Sequence, residues 1–289
     1  MNKLTVVWWE LLCAVSVFNV LAWAATSALA HRKSLTLHPL ARQSMRLQML
    51  LSAGYVLGCA YRSAFPVYDV GRLVLVDTWL SSVVVGRSVA TVAELCFAAQ
   101  WATLMRSIAQ ANEHRLGLAV ARLVMPMIIV AELCSWHAVL TTSNLGHVFE
   151  ESLWGLCAGA LVSSLVLVWP RCSREQRPAM AAAVAIGVAY VVYMFQVDVP
   201  MYWTRWLAET QQHRVPLTLA QGLIDASARW TVTHRWSDWQ SEVVWMSLYF
   251  SVAVWLSIGL VHISGRLAPS FAAPRPRLLR TARFQENTR

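Results

Sequence analysis

The residues best placed to do chemistry are ionisable groups inside apolar runs. Arg87, Glu94, Arg122 and Glu132 lie in two consecutive hydrophobic segments. An unpaired charge there costs several kcal/mol, so each needs a partner or a task. At ~1.5 Å per helical residue, Arg87 and Glu132 lie at similar depths, and Glu94 and Arg122 lie together at a greater depth. Two crossed pairs are therefore expected, Arg87 with Glu132 and Glu94 with Arg122. Thr91 shares a helical face with Arg87 and Glu94.

A second set lies near one membrane face: His137, His147, Glu150, Glu151, His234 and Asp238, with Glu132 and Asp198 nearby. His147 and Glu150 are three residues apart, the spacing by which one helix offers a metal two ligands. His234 and Asp238, four apart, share a face of another helical turn. Imidazole with carboxylate suits zinc, iron or manganese. His147, Glu150, His234 and Asp238 are the expected ligands. Such a metal activates water or polarises a carbonyl or phosphoryl oxygen. Glu132, His137 and Glu151 would then transfer protons. The competing reading is packing: crossed ion pairs clip helices together, and His-x-x-Glu is common by chance.

The elements that must position these groups are transmembrane helices. The chain has 289 residues, 57% hydrophobic and only 13% charged, against about 25% charged in an average soluble domain. Seven apolar runs are read as spans: 6–30, 44–61, 79–104, 117–141, 152–169, 179–197 and 243–264. The second is the weakest, with Arg46 and Gln48 at its start. The expected fold is an all-α, seven-span bundle over 1–265, with a Trp-rich cap at 198–242 and a basic tail at 266–289. Ala28-Leu29-Ala30 could end a signal peptide, but the preceding run is long and carries Glu10.

Lys and Arg fix the sidedness. Assigned to alternate faces, fifteen of the 24 fall on the face that holds the tail and seven on the other. This places the amino terminus outside and the carboxyl terminus in the cytoplasm. The acids and tryptophans concentrate at the outer face. In the 198–242 segment, the spacing over Leu217–Trp230 predicts an amphipathic helix lying on the interface.

Several functions are excluded. The excess positive charge sits between apolar runs, so it answers the positive-inside rule and not a nucleic acid. The only lysines are Lys3 and Lys33, so no span can form a retinal Schiff base. His137 and His262 lie at opposite faces, which disfavours haem. The six cysteines form no CxxC, and there is no P-loop or GxSxG. The expectation is a membrane-embedded, metal-assisted enzyme acting on a lipid or other amphipathic substrate. The alternatives are a proton- or ion-coupled transporter using the buried Arg and Glu residues, and a non-catalytic subunit that partners a membrane protein or a second copy.

Overall fold

A computed structural model describes residues 3–267 and is almost entirely helical. Long helices run in antiparallel succession: α1 (Lys3–Ser34), α2 (Pro39–Ala64), α3 (Val83–Ala111), α4 (Arg115–Thr141), α5 (Leu145–Val168) and α6 (Arg177–Tyr193). A π-helical turn, Met194–Asp198, joins α6 to α7 (Val199–Gln211) without a break. Then come α8 (Leu219–Ala228) and one turn of α9 (Trp236–Trp239). The last long helix is α10 (Val243–Leu248), a second π turn (Tyr249–Ala253) and α11 (Val254–Leu267). Three two-residue strands, β1 (Val67–Tyr68), β2 (Leu73–Val74) and β3 (Thr231–Val232), form a small sheet. β1 and β2 pair antiparallel, β2 and β3 parallel. The tail beyond Leu267 lies outside the described residues.

Six helical segments are long and apolar enough to cross a membrane, among them Arg177–Gln211 and Val243–Ser264. The helix α2 has the length but not the apolarity. Gln48, Ser52, Arg62 and Ser63 of this helix are buried. Gln48 donates to the Gln100 carbonyl at 3.1 Å and to Thr103 Oγ1 at 2.7 Å. Gln100 donates to Gln48 Oε1 and to the Ser257 carbonyl, while Ser257 donates to Gln100 Oε1 at 2.6 Å. This neutral clasp ties α2, α3 and α11 together, so a low-hydropathy helix is at home in the bundle.

The expected 198–242 loop is shorter than the sequence implied. The sixth helix continues through Pro200 to Gln211. A prolyl ring clashes with the carbonyl four residues back in a regular helix. Here it is accommodated directly after a π turn, where the backbone is already widened.

The segments after α7 form a cap on one end of the bundle. The capping box of Thr218 and Gln221 starts α8. A Cβ on Gly222 would fall 1.8 Å from the Leu140 carbonyl oxygen, so only glycine allows α8 to lie this close to α4. Buried Arg72 fastens the cap: it donates to the Val139 carbonyl on α4, the Asp69 carbonyl and Asp225 on α8. Burial alone would raise the Asp225 carboxyl, but hydrogen bonds from Arg229 and Arg72 hold it below its ordinary range. Leu219, Leu223 and Ile224 remain exposed on the far side of α8.

Candidate functional site

Three helix ends meet below the cap. Arg87 near the start of α3, Glu132 near the end of α4 and Glu150 near the start of α5 are all buried. Arg87 Nη2 lies 2.6 Å from Glu132 Oε2, 2.7 Å from Glu94 Oε2 and 3.3 Å from Glu150 Oε1. The expected Arg87–Glu132 pair is therefore present. Thr91 donates to Glu132 Oε2 at 2.6 Å and receives the Trp136 indole N–H. Tyr249 donates to Glu94 Oε1 at 3.0 Å, bringing in the last helix.

The expected Glu94–Arg122 pair is not formed. Arg122 is exposed on α4, and Glu94 shares Arg87 instead. Depth alone had matched them. Azimuth decides otherwise, because ten residues back from Glu132 is about 80° round the helix.

His147 and Glu150 form a dyad, with His147 Nδ1 2.6 Å from Glu150 Oε2. A carboxylate can only accept, so with Glu150 in that role the donor is Nδ1–H and Nε2 is the ring's remaining acceptor. The ring also packs on Tyr202, centroid to centroid 4.9 Å. Glu150 thus joins the imidazole to the Arg87 cluster.

These groups line one end of a cavity of about 440 Å³. Glu151, Asp198, Tyr190 and Tyr193 line the same end. Glu242, paired with Arg205 at 2.8 Å, lines it beneath the cap. The other end is apolar, with Val124, Ile128, Leu161, Leu165, Ala183 and Leu256 in its wall. Ile186, Tyr190, Leu248 and Val252 line the cavity and are also exposed on the flank of the bundle. Its mouth is therefore lateral, between α6 and the α10–α11 helix.

Two π turns shape this space, facing each other across it. One carries Asp198 inward, the other Tyr249 and Phe250. A π turn disturbs the regular carbonyl register, and Asn19 donates to the Phe250 carbonyl at 2.8 Å. Nothing in a 3.6-residue periodicity marks either turn. The position of Asp198 just before Pro200 was the available signal, and it reads equally as a helix end.

The other expected residues lie elsewhere. His137 is exposed on the flank of α4, beside Leu133 and Phe149. His234 and Asp238 belong to the cap. The Asp238 carboxylate accepts from Thr233 at 2.6 Å and from Arg235 at 3.0 Å. The structure thus brings together His147, Glu150, Glu151 and Glu132, and separates them from His137, His234 and Asp238.

Among the described residues, Glu94, Glu132 and Glu150 form the group whose ligand atoms converge closely enough for one metal ion. Arg87 Nη2 occupies the meeting point of those same oxygens. A metal ion there would have to displace the guanidinium. The one positive charge at the centre of this triad comes from the chain itself.

The chain matches no family model, no curated protein and no solved structure.

Proposed function

We propose that the protein is a multi-pass membrane enzyme that takes an amphipathic, lipid-like substrate into its lateral cavity. The observation that carries this reading is the polarity of one continuous space: apolar at one end, charged at the other, and open toward the flank. A hydrocarbon chain fits the Leu161–Leu256 end, and its polar group then lies beside His147. With Nδ1 held by Glu150, His147 Nε2 is oriented to accept a proton from water or a substrate hydroxyl. Arg87 Nη2, 3.3 Å from Glu150 Oε1, steadies that carboxylate, and the unpartnered Arg87 Nε offers a donor to developing negative charge.

We read seven spans, α2 included, with the amino terminus and cap outside and the 268–289 tail in the cytoplasm. In a background without native cysteines, a cysteine at Ser143 should react with an impermeant thiol reagent from outside, and one at Ser173 should not. Labelling of Ser173 alone would reverse the orientation.

Activity is tested by incubating the purified protein with lipids bearing ester, amide or phosphoester bonds, with and without added zinc, iron or manganese. Turnover that disappears in His147→Ala and Glu150→Gln, with melting unchanged, supports the enzyme. Proton or ion flux in liposomes with no turnover of any lipid would favour the transporter instead. That second reading draws on the Gln48–Gln100–Ser257 clasp, which continues the polar side of α3 away from the cap.

A further inference from the structure

The charges that line the cavity are unevenly matched. Arg62 lies 3.8 Å from Asp69, Arg205 pairs with Glu242, and Arg87 serves Glu94, Glu132 and Glu150. Glu151 and Asp198 are left over. Among the described residues, neither has a Lys, Arg or His nitrogen within salt-bridge distance. Arg205 pairs through Nη2 with Glu242, and the His147 ring is bonded to Glu150. Asp198 is only 7% exposed, and its Oδ1 has no hydrogen-bond partner. A π turn holds it toward the cavity, whose lining includes the Tyr190 and Tyr193 rings, while the Tyr202 ring is already met by Arg205 and His147.

Two carboxylates in a desolvated site need a counter-charge, and burial makes its absence costly. Aromatic rings beside carboxylates recognise ammonium groups, because the ring faces and the acids both attract a diffuse cation. The apolar end of the cavity needs a hydrocarbon. From this juxtaposition we infer that the substrate is a cationic amphiphile: its ammonium head sits between Glu151 and Asp198 within the tyrosine rings, and its alkyl chain lies along Leu161, Leu165 and Leu256. This rests on the reading of the cavity as an amphiphile site and adds the charge of the head.

The test uses three photoreactive probes with the same diazirine-bearing alkyl chain and different heads: trimethylammonium, hydroxyl and sulfonate. The full-length protein in neutral detergent is irradiated with each, and labelled peptides are mapped. The expected result is labelling of the α5 and α11 cavity walls by the trimethylammonium probe about tenfold above the hydroxyl probe, with least from the sulfonate. An excess of unlabelled alkyltrimethylammonium should compete in the wild-type protein, a readout that needs no variant to fold. Glu151→Gln and Asp198→Asn, singly and together, keep the side-chain volume. The double variant should bring the trimethylammonium signal down to that of the hydroxyl probe.

Equal labelling by all three heads would overturn the ammonium site while leaving the amphiphile cavity standing. No labelling of the cavity walls by any probe would remove the cavity reading itself. Loss of trimethylammonium labelling on adding micromolar zinc or manganese would assign the two carboxylates to a metal ion and overturn the proposal.

Discussion

Two buried polar networks sit in one helical bundle, and they are built on opposite principles. The Gln48–Gln100–Ser257 clasp is neutral, and each amide finds its donors and acceptors within α2, α3 and α11. The Arg87 network near the cap is charged and incompletely satisfied, with Arg87 Nε and Glu132 Oε1 unpartnered and Asp198 Oδ1 unpartnered nearby. A satisfied neutral network fixes one packing and exposes nothing for chemistry. An unsatisfied charged network is costly, and Arg87, Glu94 and Glu150 of this one line a cavity beside Asp198. The comparison separates polar groups that hold the fold from polar groups that await a ligand.

The comparison can be broken at several points. The largest effect is expected at the dyad. His147→Ala should lower turnover of the substrate by roughly 10²–10⁴-fold, the usual worth of a general base, while melting scarcely moves. Equal losses of folded protein and activity would place His147 with the clasp. Next, Arg87→Met strands three carboxylates and should destabilise the protein by about 3–5 kcal/mol, read as a large loss of folded protein or a drop in Tm. Glu94→Gln should cost less, since Glu132 and Glu150 still hold Arg87.

In the clasp, Gln100→Leu removes the donor to Gln48 Oε1 and to the Ser257 carbonyl, while Gln48 keeps Thr103 and Ser257 keeps Ser52, and it should cost about 1–3 kcal/mol. The Gln48→Leu/Gln100→Leu double variant should recover part of that loss, and turnover per folded molecule should stay unchanged in both. A fall in specific activity would connect the clasp to the chemistry.

The smallest effect concerns the cap. The Asp225 carboxyl is held below its ordinary range, so the stability that it contributes is present above the unfolded-state value of about 4 and is lost as pH falls through the lowered value. Proteolysis by an acid-active protease between α7 and α8 should therefore accelerate below about pH 4. Asp225→Asn should flatten that dependence.

Much of this arrangement was legible in the residues, and the misses have physical causes. The helical bundle follows from long apolar runs. The Arg87–Glu132 contact follows from rise per residue, since antiparallel neighbours bring equal depths together. The same arithmetic misassigned Arg122, because depth says nothing of direction round the helix axis. The two π turns were invisible to any regular periodicity, so Asp198 could be placed near the histidines and acids of one membrane face but its direction into the cavity could not be read. His234 and Asp238 shared a face and a membrane side with His147, but a side is a broad address. Arg235 and Thr233, their immediate neighbours, supplied closer partners for Asp238.

The most direct test is native mass spectrometry of the protein released from detergent, beside Ala158→Trp, which fills the cavity from α5. The account predicts that the wild-type chain retains one amphiphilic molecule and that the filled variant loses it with its melting curve intact. The same occupancy in both proteins, or none in either, would contradict the cavity as the site of function.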